Sequence, residues 1–374
     1  MNHGENPISV LMITVRADHG GGPRHLELLL KHLPADVEAH VACPDEPPYR
    51  ARLEYETGGR VVLIPHRRFT LGAALRLVAY ARRNRIDLIH AHGKGAGAYA
   101  RLATMLLRCR SVHTPHGVHV SQYKPWARRL YRAYENLSAR WVDSVVYVSD
   151  EEREVARTAG LWPRTRACVI VNGVEDVDDA VRADLRRSGR AQLGIADDRI
   201  VAATLSRFDY QKNMQEAYAV VAASPHILFL WAGDGEDAAG LRRRATSEGL
   251  DNVCFLGSQE RSAPLLAMAD IYLSTARWEG LPLAVIEAMA MGLPVVASDV
   301  TGHRELVGAS GGGLLYPAGQ PARAAAQLAR LSGDAALRSK MGERGRAVQQ
   351  ERYSARRVGA DIHGLYQSLV ASQK

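Results

Sequence analysis

Two successive α/β domains, each a doubly wound parallel sheet covered by helices, are what this sequence predicts. Three observations lead there. Short β-branched runs are apolar at nearly every position, they alternate with longer segments of helical period, and the whole rhythm stops once and then starts again. A chain of 374 residues also exceeds one ordinary core and suits two.

In chain order the first block offers ISVLMIT, VEAHVAC, RVVLIP, DLIHAH, SVHTPHG, SVVYVS and CVIVNGV as strands. A strand that is apolar on both faces is buried on both, which is the condition of a parallel sheet between helical layers. PRHLELLLKHL, LGAALRLVAYARRN, GAGAYARLATMLL and WARRLYRAYENLSAR have the spacing of the covering helices. From Val177 to Asp198 the charges of EDVDDAVRADLRRSGR interrupt the pattern, and the segment reads as a linker with helical potential. RIVAATLSR, ILFLWAG, NVCFLG, IYLSTA, PVVAS and GGLLYP then repeat the alternation. The predicted division is residues 1–177, residues 178–352, and a C-terminal helix over 353–374 that returns to the first domain. Ligands of such sheets lie outside the carboxyl ends of the strands, so the loops there, and a cleft between two facing domains, are where a site is expected.

Composition narrows the class. Hydrophobic residues make up 47% and charged residues 24%, as in an ordinary soluble globular protein. Cys43, Cys109, Cys168 and Cys254 form no CxxC pair, and reduced core cysteines are expected. No apolar run approaches the ~20 residues that span a bilayer, and MNHGENPISVLMITVR lacks the features of a signal peptide; a cytoplasmic protein is the expectation. The net charge of +8 is concentrated: residues 51–140 carry 17 Lys and Arg against Glu54, Glu56, Asp87 and Glu135, a local balance of +13. Such an excess suits an anionic partner. No helix-turn-helix, zinc finger or aromatic RNA-binding motif accompanies it, which argues against nucleic acid.

Several loops carry residues able to hold a phosphorylated ligand. Glu279 and Glu287 bracket GLPLAVI, read as a turn from a strand end into a helix, whose backbone N–H groups at Gly280, Leu281 and Leu283 suit a diphosphate; Pro282 fits the first helical position. Arg207 and Lys212 follow the first strand of the second block and supply a fork and a point charge for phosphate oxygens. Gly20, Gly21 and Gly22 separate a strand from a helix and allow close approach to the backbone. His116, next to Gly117, ends a strand and offers a neutral imidazole for hydrogen bonding. His90, His92 and His113 lie on strands of the same block; a metal is their rival reading, though no Cys or carboxylate stands at ligand spacing.

Taken together, GGGPRHLELL, HTPHG, VVYVSDEE, VNGVE, LSRFDYQKN, LWAGDGED, CFLGSQE and EGLPLAVIEAMAMGLPVVAS resemble, in order and over most of the chain, the family-four glycosyltransferases of GT-B fold. The last segment is the most specific. The resemblance implies two facing Rossmann-like domains, a nucleotide-sugar donor, and transfer with retention of anomeric configuration. It implies that Glu279 touches the donor sugar, Glu287 the ribose, Arg207 and Lys212 the diphosphate, and Gly280, Leu281, Pro282 and Leu283 the phosphates and sugar from below. Gly21 and Gly22 correspond to a first-domain loop near the donor phosphate, His116 to a histidine on the sugar, and Gly233 and Asp234 to a loop near the base. Two departures stand out: Ser206 occupies a position often held by glycine, and Leu281-Pro282 replaces a common Phe-Gly.

The expected activity is transfer of a hexose-type sugar from a UDP- or GDP-sugar to a lipid-linked or polysaccharide acceptor, with no cofactor and no metal required. The basic first domain, with Trp126, Tyr123 and Tyr131 among its cations, is expected to sit on an anionic membrane surface. A catalytically silent sugar-nucleotide-binding subunit and a sugar-nucleotide epimerase are the alternatives.

Overall fold

The computed structural model describes residues 7–118 and 123–372. It divides into two compact units, Met1–Asn172 with Ala355–Lys374, and Gly173–Ser354. The first boundary therefore falls five residues before the position read from the sequence, and the return to the first unit two residues after it.

In the first unit the order is β1 (Ile8–Thr14), α1 (Gly21–His32), β2 (Val37–Cys43), α2 (Tyr49–Glu56), β3 (Val61–Leu63), α3 (Leu71–Arg83), β4 (Leu88–His92), α4 (Lys94–Leu107), β5 (Arg110–Thr114), α5 (Pro125–Ser138), β6 (Ser144–Tyr147), α6 (Asp150–Thr158) and β7 (Arg166–Val169). The second unit contains α7 (Asp179–Gln192), β8 (Val201–Leu205), α8 (Met214–Ala222), β9 (Leu228–Ala232), α9 (Ala238–Ser247), β10 (Val253–Gly257), α10 (Ser262–Met268), β11 (Ile271–Ser274), α11 (Leu283–Ala290), β12 (Val295–Ser298), β13 (Gly313–Tyr316), α12 (Pro321–Gly333) and α13 (Ala335–Arg352). The final helix, α14 (Ala355–Ala371), belongs to the first unit.

Both sheets are parallel. Their strand orders are β3-β2-β1-β4-β5-β6-β7 and β10-β9-β8-β11-β12-β13. In each, the order reverses beside the first strand of the unit, so β1 lies next to β4 and β8 next to β11. Crossovers leave to opposite faces at that point, which opens a crevice at the carboxyl edge.

β1 shows why an unbroken apolar run folds this way. Val10 and Met12 join one core with Leu26 and Leu29 of α1 and with Val358, Ile362 and Tyr366 of α14. Leu11 and Ile13 point to the other face and join Leu77 of α3 and Ala96, Tyr99 and Ala103 of α4. All four strand residues are fully buried. Truncating one of them, as in Leu11→Ala, removes transfer energy and leaves a cavity, a cost of about 2–5 kcal/mol.

The polar stretch read as a linker with helical potential is a helix, and it is docked on its own unit. Asp178 caps α7 by accepting from the N–H groups of Ala180 and Val181. Arg186 and Arg190 then reach inward, both to Asp270 and also to the carbonyls that end α10. Arg190 is buried and satisfied by five acceptors, so its charge secures the helix rather than solvating it. The four cysteines are free. Among the described residues no helix is long and apolar enough to cross a membrane.

Candidate active site

At the reversal point of the second sheet the loops after β8 and β11 meet. Lys212 Nζ donates to Glu279 Oε1 at 2.5 Å, joining residues 67 apart in sequence. Glu279 is 7% exposed, so its carboxylate depends on this partner. Arg207 pairs with Asp209 at 2.5 Å and donates to Gln211 Oε1 at 3.2 Å; Gln211 in turn donates to the Trp278 carbonyl and accepts from the Arg277 N–H through its own carbonyl. Thr275 Oγ1 donates to the carbonyls of Lys212 and Asn213. The two loops are thus laced together, and Thr204, Ser206, Lys212, Ser274, Glu279 and Pro282 line one recess between them.

β11 stops at Ser274, so Glu279 stands in the loop and not at a strand end. Pro282 is the N-cap of α11, one position before the first helical residue, and its carbonyl accepts from the N–H groups of Val285 and Ile286. Glu287 is half-buried on the second turn of α11. Burial, together with the fields of Glu279 and Glu287, pushes the Tyr272 hydroxyl well above the ordinary phenol range, while its bond to the Leu205 backbone opposes the shift. Both acids therefore act on the same buried hydroxyl, that of Tyr272 within β11.

Gly233 and Asp234 follow β9 and lie against the loop after β8. A side chain at Gly233, whose φ is 134°, would place its Cβ 1.7 Å from the Ser206 carbonyl oxygen. Asp234 accepts the Phe208 N–H through its carbonyl at 2.9 Å. The glycine is required by this close approach of two backbones, which positions the segment carrying Arg207.

In the first unit, Gly21 and Gly22 open α1, with Gly20 as its cap residue, and a Cβ on Gly22 would meet nothing within 4 Å. His116 follows β5 with φ 54°, a left-handed conformation that a side chain rarely adopts. Its Nε2 lies 3.2 Å from His92 Nδ1, and its ring is 4.7 Å from that of His25. Burial, reinforced by the neighbouring His25, His92 and His113, holds the His116 pKa well below the usual imidazole value. The ring is neutral at physiological pH, able to donate from one nitrogen and accept at the other.

Two family profiles match in succession: "Glycosyltransferase Family 4" over residues 19–177 and "Glycosyl transferases group 1" over residues 186–348. The chain is a family-four glycosyltransferase.

Among its relatives, the alpha-D-kanosaminyltransferase of Streptomyces kanamyceticus is 26% identical over 304 residues, covering 75% of this chain and 77% of that protein. The UDP-Gal:alpha-D-GlcNAc-diphosphoundecaprenol alpha-1,3-galactosyltransferase of Escherichia coli is 27% identical over 246 residues, 62% of this chain and 63% of that one. The crystal structure of Anabaena Alr3699/HepE in complex with UDP-glucose superposes with a TM-score of 0.82 at 22% identity, covering 96% of this chain and 99% of that one. The fold of this glycosyltransferase is accordingly GT-B.

The two local departures from the family pattern have structural roles in the glycosyltransferase. Ser206 donates its hydroxyl to the Arg207 carbonyl at 3.2 Å, and Leu281 is 4% exposed, packed away from solvent beside the Pro282 cap. Asp209 and Gln211 hold Arg207, and His25 and His92 surround His116; of these four only His92 was singled out in the sequence, among the strand histidines for which a metal is the rival reading. His90 and His113 lie in the core: His90 bonds Tyr366 and Thr114, and His113 packs edge-on to Trp162. Among the described residues, two groups have donor atoms close enough for a metal ion: His25, His92 and His116, and Asp18, Glu46 and His66.

Proposed function

We propose that this glycosyltransferase moves a hexose-type sugar from a UDP- or GDP-sugar to a lipid-linked or polysaccharide acceptor, with retention of anomeric configuration. The observation that carries the proposal is the convergence of Arg207, Lys212 and Glu279 on the carboxyl edge at the β8/β11 reversal. Two fixed cations beside a helix start suit a diphosphate.

In the reaction the bond from C1 of the sugar to the diphosphate breaks and negative charge grows on the departing phosphate. Arg207 and Lys212, already held by Asp209, Gln211 and Glu279, stabilise that charge without reorganising, and no metal is required for this step. The acceptor hydroxyl oxygen bonds C1 on the face the phosphate leaves, and its proton passes to a phosphate oxygen. Glu279 contacts the donor sugar, Glu287 the ribose, Gly280 to Leu283 the phosphates, Gly21 and Gly22 a donor phosphate, Gly233 and Asp234 the base, and neutral His116 a sugar hydroxyl. The galactosyltransferase relative, whose name gives a diphosphoundecaprenol acceptor, supports a lipid-linked acceptor here.

A membrane surface as workplace is supported by α5. Trp126, Leu130, Tyr134 and Leu137 recur at helical spacing and are 66%, 65%, 44% and 67% exposed, with Lys124, Arg128, Arg129 and Arg132 around them. Apolar anchors within a basic rim match an anionic interface.

The test is a panel of UDP- and GDP-hexoses with undecaprenyl-diphosphate glycans as acceptors, product linkage being read by NMR. An α-linked product from an α-linked donor is expected. Arg207→Ala and Lys212→Ala should each lower turnover about 10²–10³-fold, the usual loss on removing one transition-state charge partner. Binding without transfer would identify a silent subunit, an epimerised donor an epimerase, and an inverted product would overturn retention.

A further inference from the structure

One buried carboxylate ties together the loops that follow two neighbouring strands of the first unit. Glu152 stands in the first turn of α6 and is 2% exposed. Its Oε1 accepts the Gly117 N–H at 2.5 Å, beyond β5, and its Oε2 accepts the Val148 N–H at 2.8 Å, beyond β6. Its own N–H donates to the capping Ser149 Oγ at 3.0 Å. Among the described residues Glu152 has no ion-pair partner; Lys94 acts on it only through its field.

A capping-box glutamate ordinarily turns back to the N–H of its own cap residue. Here the carboxylate reaches one residue further, and across to another strand. The peptide it grips joins His116, at φ 54°, to Gly117, at φ 116°. Such a conformation is disfavoured at a residue with a side chain and persists only where neighbours hold it. His92 fixes the imidazole at its tip; Glu152 fixes the backbone from which it projects.

We infer that Glu152 is a positioning residue of the transfer reaction, holding the His116–Gly117 turn so that the imidazole meets the donor sugar. The inference rests on the reading of His116 given above. Burial pushes the Glu152 carboxyl above its usual value, and the Val148 and Gly117 N–H groups and Lys94 oppose that rise. The other titratable groups near it are Tyr147 on β6 and His116 itself, which is neutral. Protonation places an O–H against one of two N–H donors and releases a loop, so activity should fall on the acid side as Glu152 titrates.

Glu152→Gln conserves volume but presents an NH2 to one of the two donors. Its kcat should drop 10- to 100-fold with the Kd for nucleoside diphosphate alone unchanged, since that ligand lacks the sugar, and its acid limb should vanish from the kcat/KM profile. Ser149→Ala, which removes the α6 cap but leaves the Gly117 and Val148 N–H bonds to the Glu152 carboxylate in place, should stay within twofold of the parent. Glu152→Asp keeps the charge but shortens the reach and should show the same kcat loss, which carries the test if the glutamine variant does not fold. If His116→Ala is impaired while both Glu152 variants match the parent, the positioning role is overturned. If His116→Ala is itself unimpaired, the sugar contact falls and this inference with it.

Discussion

Lys212 and Glu279 close a 2.5 Å ion pair between the loops that follow β8 and β11, with the carboxylate almost fully withdrawn from solvent. Each holds the other in place before any ligand arrives. Removing Lys212 alone strands a buried charge, and Lys212→Ala should lower stability by about 1–3 kcal/mol in denaturant titration. The double variant Lys212→Met with Glu279→Gln should recover most of that stability and none of the turnover. Recovery of turnover as well would remove the lysine from the chemistry.

Gly233 makes a prediction that concerns backbone alone. Its Cβ would overlap the Ser206 carbonyl, so Gly233→Ala must displace the segment that carries Arg207. A loss of at least about 1–3 kcal/mol is expected, from positive φ and steric overlap together, with donor affinity weakened in parallel. Thermal melting and titration with nucleotide sugar measure the two effects separately.

The histidines of the first unit set an acid limit on folding. Burial lowers the His25 pKa from 6.5 to about 4. The unfolded chain therefore binds the extra proton first as pH falls, and the stability due to neutral His25 is complete above pH 6.5 and lost progressively down to about pH 4. The difference amounts to roughly 3 kcal/mol. His25→Gln cannot take up that proton and should flatten the slope of unfolding free energy against pH in this window; an unchanged slope would assign the acid sensitivity to other groups.

If α5 meets the membrane through its exposed stripe, its charges and its apolar anchors should contribute separately. Trp126→Ser with Leu130→Ser should weaken sedimentation with anionic liposomes at both low and high salt. Arg128→Gln with Arg129→Gln should weaken it only at low salt, because screening already suppresses the electrostatic part at high salt. Equal binding by all forms would place the contact elsewhere.

Much of this architecture was readable because a strand buried on both faces has to be apolar at consecutive positions, as Val10 to Ile13 are. The residues around the loops after β8 and β11 were also legible as members of a family pattern, and the structure brings Arg207, Lys212 and Glu279 to adjoining loops. Their partners were not legible. Asp209 is an ordinary loop aspartate until it takes Arg207, and Glu152 looks like a helix cap until its carboxylate is found on a different strand's loop. α7 misled for the opposite reason: its arginines resemble solvated charge, but Arg190 lies inside, against Asp270 and a set of carbonyls that only folding assembles.

The position of α14 has a consequence for how the protein is made. Val358, Ile362, Leu365, Tyr366 and Leu369 complete the core against α1 and β1, and Tyr366 reaches His90 at 2.6 Å. These residues leave the ribosome after the whole of the second unit, although domains generally fold in order of emergence. The amino-terminal sheet must wait, with one apolar flank uncovered, until α14 has been synthesised. Nascent chains stalled before residue 355 should be the ones that proteases and chaperones recognise.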